Sequence, residues 1–231
     1  MTLKQFVKPA GAIAVFAAIV LAMTLSSSRS VRAGDDDDDN DRNESKVRKG
    51  FQIAPVHLNL KGKDHELVGL GSYIVNAQAD CDGCHSAGPQ TEFLPGGNPY
   101  FGQVEKINPA TYLGGGRDFG PYPAPNSALH IISRNLTPDK TGLPRGGHTF
   151  AEFRQIMRTG VDMDHLPPNC SATVTTNCLQ PPFKGDLLQI MPWNIYQNMT
   201  DRDLRAIYEY LSAIPCIEGP PSPSELHHDC N

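Results

Sequence analysis

Two cysteines three positions apart with a histidine directly after the second, Cys81-Asp82-Gly83-Cys84-His85, are the residues of this chain best suited to chemistry. Three chemistries use such a run. Structural zinc takes four ligands, so a second ligand pair must come from elsewhere. A redox dithiol belongs in βαβ surroundings, and no such alternation flanks the motif. Covalent haem attachment needs both thiols on one helical turn, where they add to two vinyl groups, with the next residue lying under the iron. In an exported protein the pattern C-x-x-C-H points to this third chemistry. Cys81 and Cys84 are therefore the expected attachment points of one haem c, and His85 the expected fifth ligand of its iron.

A sixth ligand must come from far along the sequence. Beyond residue 33 the methionines are Met157, Met163, Met191 and Met199. Met157 falls on the apolar stripe of a helix, where core packing is its natural role. Met199 directly precedes a helix cap and suits a staple. Met163 lies in the polar stretch "GVDMDH". Met191 lies in "LLQIMPWNIYQ", apolar and stiffened by Pro192, which is what a closed iron site asks of a thioether; it is the expected axial ligand. Among the histidines, His165 is the alternative ligand, and His57, His65, His130, His148, His227 and His228 are expected to be solvated. With both axial positions filled, the iron carries electrons and has no place for substrate. A vacated sixth position would instead give a haem enzyme or a small-ligand sensor.

Helices must position these groups. "DHELVGLGSYIVNAQ" predicts one directly ahead of the motif, with Asp64 as N-cap and Leu67, Leu70, Ile74 and Ala77 at helical spacing. Gly69 and Gly71 cost it about 1 kcal/mol each against alanine, which implies close approach of another backbone. "HTFAEFRQIMRTG" predicts a second helix, with a Thr149–Glu152 capping box, an apolar stripe of Phe150, Phe153, Ile156 and Met157, and Gly160 at its end. The last is "TDRDLRAIYEYLSAIP": Thr200 caps it, Asp201 and Asp203 suit the dipole, Leu204, Ile207, Tyr208 and Leu211 form one face, and Pro215 stops it. Residues 86–129 hold 8 Gly and 7 Pro, and "GGGRDFGPYPAP" is read as irregular, wrapped around a large flat cofactor. The expected architecture is a few helices with long loops and no β-rich pattern.

Lys4 and Lys8, the apolar run Ala10–Leu25 and the Val31-Arg32-Ala33 site have the layout of a secretory signal peptide over 1–33. The run is shorter than the roughly 20 residues that span a bilayer, and an uncleaved membrane anchor is the rival reading. Export implies the periplasm. The chain of 231 residues has 20 basic and 25 acidic side chains; the first 33 hold four basic and no acidic ones, so the remainder carries −9. That argues against nucleic acid and anionic membrane surfaces as partners. Residues 34–63, opening on the Asp35–Asp39 run, are expected to be a disordered acidic tail. An oxidising compartment favours two local disulfides, Cys170–Cys178 and Cys216–Cys230. The second would tie the 219–231 tail back to a 64–218 domain.

"GLGSYIVNAQADCDGCH", "SRNLTPDKTG", "TFAEFRQIMRTGVDMD", "MPW" and "MTDRDLRAIYEYLSAIP" together resemble class I c-type cytochromes. The likeness is strongest to the haem domains in cytochrome subunits of periplasmic alcohol and gluconate dehydrogenases, over about 67–86 and 133–215. The resemblance implies a mainly α, cytochrome c-like fold whose loops wrap one covalent haem. It aligns Met191 with the family's axial methionine, and has the first helix cross the last near Gly71, against Tyr208 and Leu211. It implies an electron-transfer protein rather than an enzyme, whose partners are redox proteins: a dehydrogenase, a terminal oxidase or a reductase. The sequence departs from those subunits in carrying one motif where they carry three, and in the 170–178 insertion.

Overall fold

The computed structural model describes residues 35–87, 89–123, 127–163, 167–221 and 226–231, with side chains from residue 43 onward, Pro89 excepted. The expected signal peptide and His165 lie outside the described residues. The chain divides into two units, Met1–Asp41 and Arg42–Asn231, and the second carries the Cys81–His85 motif.

Of the 34–63 stretch expected to be a disordered tail, the first part is helical: α1 spans Asp35–Ile53. Val47, Gly50, Phe51 and Ala54 recur at i, i+3, i+4 and i+7, an apolar stripe that the aspartate run ahead of it outweighs in composition. This stripe packs on the next helix, α2 (His65–Tyr73). Ser72 Oγ donates to Gly50 O at 2.7 Å, and a Cβ on Gly50 would sit 1.9 Å from Gly69 O. The backbones touch there.

Asp64 caps α2 as expected, accepting from Leu67 N at 3.0 Å. The helix runs on as a π-helical turn over Ile74–Gln78 and then reverses at Asp80, whose φ of 48° is left-handed. The motif forms its own short helix, α3 (Cys81–His85), followed by α4 (Pro89–Glu92) and a 3-10 turn at Pro99–Phe101. Part of the segment read as irregular pairs: β1 (Asp118–Pro121) lies antiparallel to β2 (His130–Ile132), closed by a 2.8 Å contact between Asp118 Oδ2 and His130 Nδ1. Two strands of three or four residues leave no alternation long enough to read in the sequence. Next come the turn α5 (Pro144–Gly147), α6 (Phe150–Thr159), α7 (Trp193–Tyr196) and α8 (Asp201–Leu211). The Thr149–Glu152 capping box, Gly160 C-cap and Thr200 N-cap all form.

α2 crosses α8 at Gly71, but not against the residues expected. A Cβ there would lie 1.9 Å from Ala206 O and 2.7 Å from Tyr210 Cβ. Tyr208 is two positions off that face and turns to α6, stacking edge-on with Phe150 at 5.5 Å and donating to His148 O at 2.9 Å. Leu211 is 2 % exposed within the core that α2, α6 and α8 share. Beneath the crossing, Tyr112 and Tyr210 hydroxyls meet at 2.8 Å and both bond Asn76, which satisfies polar groups that burial would otherwise penalise.

Both expected disulfides are present, with Cα–Cα separations of 5.0 Å (Cys170–Cys178) and 5.7 Å (Cys216–Cys230). The second holds a C-terminal segment that is better packed than expected. Asn135 Nδ2 donates to Ile217 O at 2.8 Å and Leu226 O at 3.2 Å, and His228, expected to be solvated, is only 6 % exposed beside Thr137. No helix of the described residues is long and apolar enough to cross a membrane.

Candidate functional site

α3 follows the left-handed turn at Asp80, and Cys81, Cys84 and His85 line a cavity of about 320 Å³. Met191 lines the same cavity. The four residues singled out in the sequence are thus brought together. The remaining wall is mostly apolar, with Val75 from the π-helical turn, Phe153 and Ile156 from α6 and Leu211 from α8 among its contributors.

His85 is held at both ends. Its Nδ1 donates to Arg134 O at 2.7 Å, and its own carbonyl accepts from Gly115 N at 2.6 Å. Burial pushes the imidazole down to about 4, against the pull of the Arg134 carbonyl and with the adjoining Arg145 and Arg134 charges adding to the fall. The ring is neutral at pH 7, its proton fixed on Nδ1 and the Nε2 lone pair free for a metal.

The loop that carries this carbonyl is itself clamped. Arg134 pairs with Asp162, a carboxylate 5 % exposed at its side chain, and Arg145 Nη lies 3.8 Å from the other oxygen of the same group. Both arginines line the cavity. Nothing in the linear sequence marks Asp162, which is brought there by the Gly160 cap of α6 and a 3.1 Å bond from its N to Asp186 O.

Met191 sits at the start of a tight turn. Trp193 N donates to Met191 O at 2.8 Å, the Trp193 indole donates to Leu188 O at 3.1 Å, and Leu188 N bonds Gly160 O at 2.8 Å. Two further methionines share the cavity wall, Met157 and Met199. Met157 is also core, 5 % exposed, as its place on the α6 stripe predicts. Met163 does not line the cavity.

The two rival chemistries find little support. Burial, with Asp80, Cys84 and Asp82 nearby, pushes the Cys81 thiol up to about 12, and burial raises Cys84 as well. An attacking dithiol needs the opposite shift. Among the described residues no three His, Cys, Asp or Glu side chains converge as a metal centre. A neutral imidazole and a thioether on an apolar wall, with two thiols at its rim, are a donor set that suits an iron porphyrin.

Inside the motif Asp82 is a further buried acid. Its Oδ1 accepts from Leu113 N at 2.9 Å, while Oδ2 is buried with no hydrogen-bond partner. Burial lifts this carboxyl to about 7, over the opposing Leu113 bond.

The protein is similar to cytochrome subunits of dehydrogenases. It is 24% identical over 161 residues to the fructose dehydrogenase cytochrome subunit of Gluconobacter japonicus, covering 69% of this chain and 24% of that protein. With the gluconate 2-dehydrogenase cytochrome c subunit of Pantoea cypripedii it shares 27% identity over 146 residues, 62% of this chain and 22% of the relative. The matched region therefore spans about a quarter of the length of these curated relatives. No protein-family model and no solved structure matches it. The two similarities support a cytochrome c relationship, and with it haem c and electron transfer.

Proposed function

We propose that this protein is an exported, periplasmic mono-haem c-type cytochrome that carries single electrons between redox proteins, with a dehydrogenase as donor. What carries this reading is the convergence of Cys81, Cys84, His85 and Met191 on one apolar cavity, with the His85 ring fixed by the Arg134 carbonyl. Cys81 and Cys84 would hold the haem through thioether bonds, and His85 Nε2 and Met191 Sδ would hold its iron. When bound, the group supplies one-electron ferric–ferrous exchange at a potential raised by His/Met ligation. The polypeptide's own part is to exclude water with the π-helical turn, α6 and α8, to keep the imidazole in one tautomer, and to hold Met191 on the cavity wall, where it would leave the iron no open site. The relatives' names, fructose and gluconate 2-dehydrogenase, favour a sugar or sugar-acid dehydrogenase as donor.

The test is the absorption spectrum of the protein matured with haem. The oxidised form should show the weak near-red sulfur-to-ferric band, and the reduced form should not change on addition of carbon monoxide. Immediate carbon monoxide binding without the band would overturn the carrier reading in favour of an enzyme or sensor with an open sixth position.

Asp162 offers a quantitative check. It places a negative charge behind the His85 support, and Arg134 and Arg145 pair with it. Asp162→Asn removes that charge and should raise the reduction potential by tens of millivolts, an order-of-magnitude figure for a partly buried charge. Haem content should hold. Potentiometric titration reads the shift, and an unchanged or lowered potential would count against this clamp.

A further inference from the structure

The carbonyl that accepts from His85 Nδ1 belongs to the peptide between Arg134 and Asn135, a rigid plane that ends at Asn135 Cα. Whatever fixes Asn135 therefore aims that carbonyl. Asn135 is wholly buried and uses its entire amide. Nδ2 donates to Ile217 O at 2.8 Å and to Leu226 O at 3.2 Å, and Oδ1 accepts from Thr137 N at 3.0 Å and Thr137 Oγ1 at 2.7 Å. Acceptors on one side and donors on the other admit a single orientation of the amide. A Cβ on Gly115 would lie 2.4 Å from Arg134 C, so a second backbone closely abuts the same peptide.

The two carbonyls that Asn135 reaches come from two passes of the C-terminal segment, and those passes are joined to each other. Cys216 is bonded to Cys230, His228 N donates to Glu218 O at 2.8 Å, and a Cβ on Gly219 would sit 2.0 Å from Leu226 O. Thr137, also wholly buried, completes the tie: its hydroxyl donates to Asn135 Oδ1 and accepts from Ile217 N at 3.0 Å. The C-terminal segment is thus attached at the residue whose own backbone carries the acceptor for His85. A hydrogen bond from Nδ1 sets the orientation of an imidazole and how strongly its other nitrogen donates to a metal.

We propose that Asn135, with Thr137, is the positioning residue for His85: it locks the Arg134 carbonyl on Nδ1 and couples that bond to the closed Cys216–Cys230 segment. With the tie intact the imidazole is a strong donor, which favours ferric iron and holds the reduction potential down. Loosening either end lengthens the Nδ1 bond, weakens the ligand and raises the potential. The effect on potential rests on the electron-carrier reading; the coupling of the hydrogen bonds needs no iron.

The experiment uses the full-length protein as purified. Thr137→Val removes the hydroxyl, Thr137→Ser keeps it, and Cys216→Ser with Cys230→Ser opens the segment without touching Asn135 or Thr137. Two readings are taken: the His85 Nδ1–H proton resonance by nitrogen-edited NMR, in the reduced state where haem is present, and the reduction potential by titration. Thr137→Val should move the resonance upfield, the mark of a longer hydrogen bond. It should also shift the ferric–ferrous equilibrium about threefold toward ferrous, or about 28 mV at 59 mV per tenfold for one electron. The cysteine pair should move both readings the same way, and Thr137→Ser should restore them. Val47→Ala is the control for lost stability alone: Val47 packs against α2 at Gly69 and does not line the cavity, so melting should fall with both readings unchanged. A purified protein without haem would sink the carrier reading, while the Nδ1–H resonance still decides the coupling. Thr137→Val that melts lower with both readings unchanged would overturn the proposal, since Asn135 then serves packing only. So would equal shifts in Val47→Ala. If Thr137→Val does not fold, the cysteine pair decides: unchanged readings with the bridge open overturn the coupling.

Discussion

Cys81→Ala combined with Cys84→Ala should give a protein that retains no haem after denaturation, where the unaltered protein keeps peroxidase-type staining in the gel. The reason is covalency: axial ligation by His85 and Met191 would survive only while the fold does, whereas thioether bonds would survive unfolding. Each single variant should retain staining at reduced yield, since one bond suffices to hold the group in the gel. Stability should follow. Val75, Phe153, Ile156 and Leu211 face a space of about 320 Å³, too large for those side chains to close by relaxing. Cavity terms of about 24 cal/mol per Å³ make such a space comparable to a domain's entire stability, so the double variant should melt well below the unaltered protein. Staining that persists in the double variant would refute attachment at these cysteines.

The parts of this molecule that are legible in its sequence are those decided within a few residues. Asp64, Thr149 with Glu152, Gly160 and Thr200 are local hydrogen-bonding or left-handed solutions to a helix end, and each forms as the pattern predicts. The costly pair Gly69 and Gly71 announces that backbones must touch, but not which ones. Gly69 meets α1, whose Val47–Phe51 stripe is masked by the aspartates preceding it, and Gly71 meets Ala206 and Tyr210 rather than Tyr208 and Leu211. An i, i+3, i+4 face on α8 is wide enough that its two edges serve different neighbours. The site is split in the same way. The cavity-lining Cys81, Cys84, His85 and Met191 can be named from residue type and spacing, but the support of His85 comes from a backbone carbonyl, which any residue at position 134 could present. Asp162 joins that support only through tertiary packing. His228 is buried because Cys216–Cys230 and Asn135 draw the C-terminal segment in, a consequence of contacts across about ninety positions.

Removing the Met191 thioether should have the second large effect. A thioether is a soft ligand that favours ferrous iron, so Met191→Ala should lower the reduction potential by on the order of 0.1 V, within the roughly 0.8 V that axial ligands span. The variant should lose the near-red sulfur-to-ferric band and bind cyanide or carbon monoxide readily. The fold should persist, since Cys81, Cys84 and His85 would still hold the haem. The cavity makes this a sharper test than the sequence alone suggests, because Met157 and Met199 also line it and could compete for the iron. Met157 is committed to the α6 core at 5 % exposure, and Met199 opens the α8 cap, its N bonded to Tyr196 O at 3.0 Å. Only Met191 sits on a turn independent of a core helix, pinned by Pro192, Trp193 and Gly160 so that its side chain alone is left to move. Met157→Leu, Met199→Leu, Met163→Leu and His165→Ala should therefore all keep the band. If it survives in Met191→Ala and disappears in Met199→Leu, the ligand is the staple residue, and the turn at Pro192 serves only to close the cavity wall.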